Sequence, residues 1–203
     1  MNTMLELAGI AMLGAMSPGP DFAVVVKNSL IYSRKTGLFT ALGISIGALV
    51  HISYTLLGLG LIISQNPWLM HLVRYLGAAY LLYIGWNGLR AKQTALALGN
   101  LEHRRDISIG AAMQSGFLTG ALNPKAMLFF ISLFSVMIPA DTPPVILFAD
   151  GAIIFIEILV WFSFIAFCLS GKRTREKFNS IGHWIERFTG GILFILGARL
   201  FFF

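Results

Sequence analysis

The stretch Met16–Lys27, MSPGPDFAVVVK, decides how the rest of the chain is read. An almost uncharged run, Leu7 to Met16, leads into it, and a second apolar run, Phe22 to Val26, leads out. Between them stand Pro18, Gly19, Pro20 and Asp21. Proline inside a helix removes a backbone donor and clashes with the preceding turn, so amides and carbonyls come free at the break. In a bilayer such groups persist only where they face protein or a water-filled cavity. A carboxylate at that position points to a polar site inside a membrane-spanning bundle.

Composition agrees. The 203 residues are 57% hydrophobic and 12% charged, with a mean hydropathy of +0.78. Soluble domains carry about a quarter charged residues. Uncharged runs of roughly the 20 residues that span a bilayer recur along the chain. The expectation is an all-α membrane protein, with residues 1–203 as one transmembrane domain. The net charge of +6 concerns orientation rather than nucleic acid, because basic residues flank the apolar runs and form no single patch. The lone Cys168 excludes an intrachain disulfide and speaks against a metal–thiolate site. Met1 to Gly9 contains Glu6 and no basic region, so no secretory signal peptide is read there.

Six spans are expected. The first covers Met4 to Tyr32, interrupted at Pro18 to Asp21. The second covers Leu38 to Ser64, with His51 as its only ionisable group besides tyrosine, and the third Trp68 to Leu89. The fourth covers Ile107 to Ile138, interrupted at Asn123, Pro124 and Lys125. The fifth runs from Val145 to Ser170 and the sixth from Trp184 to Phe203, where Arg187 and Arg199 must snorkel to opposite interfaces. Basic residues fill alternate links: Arg34 and Lys35; Arg90, Lys92, Arg104 and Arg105; Lys172, Arg173, Arg175 and Lys177. The links SQNP and PADTPP hold none. The basic links are expected in the cytoplasm and both termini outside.

The two interrupted spans resemble each other. GAMSPGPD in one half faces GALNPKAM in the other, each with a glycine four residues before its proline. His51 follows Pro18 by 33 residues, and Glu157 follows Pro124 by the same distance. The chain divides into two three-span halves, residues 1–95 and 105–203, that enter the membrane in opposite senses. Inverted repeats with broken helices at matching positions are the architecture of secondary transporters. A zwitterion the size of an amino acid needs an acidic group for its ammonium and helix N-termini or a cation for its carboxylate. Asp21 can serve the first, and Lys125 or the amides after Pro124 the second.

SPGPDF, the Gly43 to His51 segment GISIGALVH, GAAYLLYIGWNGLR from Gly77 to Arg90, and GFLTGALNPKAMLFF from Gly116 to Phe130 together resemble the LysE/RhtB family of amino-acid exporters. NPKAMLFFISLFS and EILVWF in the fifth span look most like its threonine-exporting branch. The resemblance implies a multi-pass bacterial inner-membrane exporter of threonine or related small amino acids, driven by the proton gradient. It places the family motifs on Pro18, Gly19, Pro20 and Asp21, and on Asn123, Pro124 and Lys125. Relatives within such a family export homoserine, homoserine lactone, lysine or arginine, so basic amino acids stay open as substrates.

Each residue also has a structural alternative. Asp21 could cap the half-helix that follows it. Lys125 could snorkel, or pair with a carboxylate such as Glu157. Glu157 sits among Ile153, Ile154, Phe155, Ile156, Ile158 and Leu159, so it needs either a partner or a proton. Glu157 and His51 are the candidates for proton coupling, and Asp21 is next in line if Glu157 is not the carrier. His51 could equally be a hydrogen-bonded bundle histidine. Gly43, Gly47, Gly116 and Gly120 read as points of close helix approach. Tyr80, Tyr83 and Trp86 read as packing or interface anchors, and Lys172 to Lys177 as an orientation signal and then a lipid-headgroup site. A divalent-cation exporter would need Asp21, His51 and Glu157 to converge, with Lys125 repelling the ion. An enzyme is not expected, because no Ser–His, paired-aspartate or His-Glu-x-x-His arrangement occurs in the spans. No cofactor is expected; the partners are substrate, protons and lipid, with a homodimer left open.

Overall fold

The computed structural model describes residues 2–65, 67–92, 105–139, 142–168 and 172–202. All eight elements among them are helices: α1 (Asn2–Met16), α2 (Pro20–Ile31), α3 (Arg34–Gln65), α4 (Pro67–Leu89), α5 (Ile109–Ala121), α6 (Pro124–Met137), α7 (Pro144–Cys168) and α8 (Lys172–Phe202). The link from Gln93 to Arg104 lies outside the described residues, as do the side chains of Lys172, Arg173, Arg175 and Lys177.

Both expected breaks are present. α1 stops at Met16 and α2 restarts at Pro20, with Pro at the first helical position and Gly19 as an extended N-cap. α5 stops at Ala121 and α6 restarts at Pro124 behind Asn123. Proline's fixed φ suits the first helical turn, where its missing amide is not needed. The chain bends by 58° at the first break and 56° at the second. The last helix differs from expectation: α8 begins at Lys172, twelve residues before Trp184. Lys, Arg and Glu are good helix formers, so the polar segment continues the helix although it is not apolar.

Two helices, Arg34–Leu57 within α3 and Pro144–Cys168, are long and apolar enough to cross a membrane, and four spans result if each bent pair is counted as one. Large apolar side chains lie exposed around the periphery, among them Leu57, Phe148, Val160, Phe164 and Phe167. Such a surface suits lipid rather than water. The centre is packed by Phe22, Val25, Val26, Ile44, Leu133, Phe134, Ile154 and Ile165, all at most 2% exposed.

Glycines set the helix spacing. A Cβ on Gly43 or Gly116 would fall on the backbone of Met113 or Thr40, so α3 and α5 touch main chain to main chain. Gly88 and Gly190 do the same for α4 and α8. Without a hydrophobic driving force between helices in lipid, such close approach supplies the packing attraction.

The described helix ends that flank the basic links gather at one end. Arg34, opening α3, stacks over Phe167 near the end of α7 at 5.0 Å. Thr36 Oγ1 donates to Asp106 Oδ1 at 3.0 Å, which brings the start of α5 there too. α4 runs antiparallel to α6, since Gly77 meets Ser132 while Tyr80 reaches Lys125, so its C-terminus returns to the same end. There Arg187 Nε donates to the Ala91 carbonyl at 2.9 Å and ties α8 to it.

Candidate functional site at the two helix breaks

The two breaks meet and are joined crosswise. Asn123 Nδ2 donates to Asp21 Oδ2 at 2.8 Å, across 102 residues of sequence. Lys125 Nζ donates to Ser17 Oγ at 2.7 Å and to the Pro18 carbonyl at 2.9 Å. Each half thus supplies one charged residue that is held by the backbone or amide of the other half. The Pro18 carbonyl lies in the break itself, between the end of α1 at Met16 and the start of α2 at Pro20.

The two ends of the site are built differently. Asn123 caps α6: its Oδ1 accepts from the amides of Lys125 at 3.0 Å and Ala126 at 3.4 Å. The amides after Pro124, one of the two candidates for a substrate carboxylate, are thus engaged by their own cap in this conformation. α2 has no side-chain cap at Gly19, but Asp21 stands in its first turn, where a carboxylate meets the helix's N-terminal partial positive charge. Asp21 Oδ1 is buried and has no hydrogen-bond partner among the described residues. A buried carboxylate oxygen in that condition is costly unless a ligand or water completes it.

A cavity of about 60 Å³ lies between the breaks, lined by Ser17, Gly19, Asp21, Asn123 and Lys125 on its polar side. Phe22, Phe129, Phe130 and Phe162 form much of the apolar wall. In this conformation it has room for a few waters. Few convergent polar groups set in an apolar wall is the usual design of a small-molecule site. Pro18 contributes its carbonyl and Pro20 and Pro124 start the two half-helices, while neither Pro18, Pro20 nor Pro124 lines the cavity.

Neither His51 nor Glu157 lines this cavity, though His51 lies behind its wall, bonded to Gly120 and stacked on Phe130. His51 is 2% exposed; Nε2 lies 2.8 Å from the Gly120 carbonyl and Nδ1 2.8 Å from Tyr54 Oη. The carbonyl can only accept, so Nε2 carries a proton and donates to it. Glu157 is half-buried on α7, and its Oε2 has no partner among the described residues; one turn on, Trp161 Nε1 is in the same state. Lys125 makes no ion pair with Glu157, because its ammonium is directed at Ser17 and Pro18. Among the described residues no group of three or more His, Cys, Asp or Glu is placed to hold a metal ion.

Sequence reading missed Ser17, whose hydroxyl takes Lys125, although it adjoins the proline motif. It also missed Glu186, which lines a second cavity together with Lys125. The signal was a lone acidic residue in the expected sixth span, overshadowed there by the neighbouring Arg187. Tyr80, expected as an anchor, is half-buried and its hydroxyl donates to the Lys125 carbonyl at 3.4 Å.

Residues 12–202 match the family described as LysE type translocator. The chain is 32% identical over 203 residues to the threonine efflux protein of Salmonella typhimurium, covering 98% of each chain. It is 31% identical over 197 residues to the threonine efflux protein of Escherichia coli K12, covering 97% of this chain and 96% of the other. An uncharacterised membrane protein of Bacillus subtilis is 26% identical over 209 residues. No solved structure shows a significant match. With a broken-helix site at its centre and a family match along almost its whole length, the chain belongs to the LysE family of translocators, which are membrane transporters and not enzymes.

Proposed function

We propose that this translocator exports threonine or a related small amino acid across the bacterial inner membrane in exchange for protons. The observation that carries the reading is the pair Asp21 and Lys125, opposite charges from two broken helices on the wall of one cavity. Asp21 Oδ1, lacking a partner, suits the substrate ammonium. Lys125, whose ammonium lies at the first break, suits its carboxylate. Full-length similarity to two threonine efflux proteins supports the substrate and the outward direction. A divalent cation is a poorer cargo, since Lys125 lines the same cavity and would repel it.

The same proposal includes six spans in two inverted halves, residues 1–95 and 105–203, within one domain. It is supported by the pairing of like with like: α3 packs on α7 and α4 on α8, while α1 meets α6 and α2 meets α5. In this reading the end holding the basic links faces the cytoplasm and both termini lie outside. Glu157, deep in α7 with an unpartnered oxygen, takes and releases the proton. His51, its counterpart in the repeat, braces the end of α5 through Gly120 and is the second titratable group near the path. Phospholipid covers the apolar periphery.

The deciding experiment is expression in a strain hypersensitive to amino-acid overload, with amino acids measured inside and outside the cells together. A fall in internal threonine matched by an external rise, abolished by dissipating the proton gradient, is the expected result. Unchanged distribution of every small amino acid would overturn the reading.

A further inference from the structure

A second cavity, of about 280 Å³, lies beside the central one and is lined by Ser17, Tyr80, Asn87, Lys125 and Glu186 among others. Ser17, Ile84 and Lys125 line both cavities, so the partition between them is a lysine clasped by the first helix break. The second cavity lies toward the C-terminal end of α4, where the helix ends that flank the basic links gather. Among the described residues no hydrogen bond or ion pair engages the Glu186 carboxylate. Its neighbour Arg187 does not neutralise it, being bonded to Ala91 and stacked over Trp184 at 5.3 Å.

Lys125, across the cavity, is the electrostatic partner of Glu186 but spends its hydrogen bonds on Ser17 and Pro18. The carboxylate is thus left without a direct bond, a costly state in a membrane helix unless a ligand meets it. The second cavity offers one negative and one positive group, the complement of a zwitterion. We propose that it is a loading site, in which Glu186 holds the ammonium of a small amino acid and Lys125 its carboxylate, before the molecule reaches Asp21. This rests on the amino-acid transport proposed above. Lys125 faces both cavities, so the carboxylate keeps one partner while the ammonium passes from Glu186 to Asp21. Release of Lys125 from Ser17 and Pro18 is the opening of the partition. Of these two cavities the second, at about 280 Å³, has room for an amino acid in this conformation.

The test uses the full-length protein in vesicles of known orientation, with labelled threonine as probe. Glu186→Gln is expected to raise the half-saturating concentration tenfold or more on the face bearing the α4–α5 link. The opposite face should change less than twofold, and Glu186→Asp should stay within threefold of the parent on both. Equal loss on both faces, or no loss on either, overturns the loading site. A second measurement does not depend on transport. In a Cys168→Ser background, Asn87→Cys is labelled with a methanethiosulfonate reagent, and threonine is expected to slow the reaction at least fivefold. Adding Glu186→Gln should remove that protection, and 3-hydroxybutyrate, which lacks the ammonium, should give none. Protection that survives Glu186→Gln counts against the proposal. If the parent protein moves no small amino acid, the transport reading itself has failed; if it does and Asn87→Cys is unprotected, only the loading site has.

Discussion

Replacing Asp21 by asparagine separates the two jobs that this side chain is positioned to do. Within the fold the carboxylate makes one bond, Oδ2 accepting from Asn123 Nδ2 at 2.8 Å. The other oxygen, Oδ1, is buried without a partner. An asparagine can put its carbonyl oxygen where Oδ2 was and keep the bond in neutral form. A bond to a charged group contributes about 1.5–3 kcal/mol and a neutral one about 1 kcal/mol. The neutral amide also sheds the desolvation cost of a buried carboxylate, so the fold's stability should change by no more than about 1 kcal/mol. The amide nitrogen then occupies the position of Oδ1, a donor where the substrate ammonium needs an acceptor. Binding therefore loses the whole charge-assisted bond, about 1.5–3 kcal/mol, or roughly tenfold to a hundredfold in affinity. Reconstituted vesicles with labelled threonine and an imposed pH gradient give the half-saturating concentration. Thermal unfolding in detergent gives the stability. Asn123→Ala is the contrasting control: it removes a helix cap of about 1 kcal/mol and strands the Asp21 carboxylate for about 1–3 kcal/mol more. It should fail in stability first. Transport at the parent level by a well-inserted Asp21→Asn protein would refute the reasoning and leave Asp21 a structural bracket between the breaks.

Three further outcomes follow from the same geometry. Glu157→Gln should abolish threonine accumulation driven by a pH gradient yet leave threonine exchange at equal pH intact; loss of both would make Glu157 structural or substrate-binding. Gly116→Ala should lower thermal stability by about 1–3 kcal/mol, since its Cβ would meet the Thr40 carbonyl, whereas Gly110→Ala, with nothing within 4 Å, should not. Reporter domains active on one side of the membrane should place Phe203 outside and a fusion within residues 93–101 in the cytoplasm; a cytoplasmic Phe203 would remove one span and the inverted repeat with it.

What the sequence determined by itself was local or collective. Helices follow from long apolar runs, and breaks at Pro18 and Pro124 follow from a missing amide and a ring clash, both confined to one turn of chain. Segregation of basic residues into alternate links is likewise readable without coordinates, because it depends on counting and not on contact. Even Asp21 and Lys125 stood out, since a charge in an apolar run is conspicuous wherever it points. Partners are another matter. Lys125 could as well have met Glu157, and its choice of Ser17 and Pro18 depends on how α1 and α6 are set against each other. Whether the amides behind Pro124 were free depended on the rotamer of Asn123, which turns its oxygen back to cap them and its nitrogen out to Asp21. Glu186 became visible only when packing of α4 on α8 opened a cavity between that carboxylate and a lysine 61 residues earlier in the chain. Helical periodicity states which face a side chain occupies, but several faces can be paired at similar cost. The arrangement chosen is the one in which all the glycine contacts and all the polar bonds across the breaks close together, and that condition exists only in three dimensions.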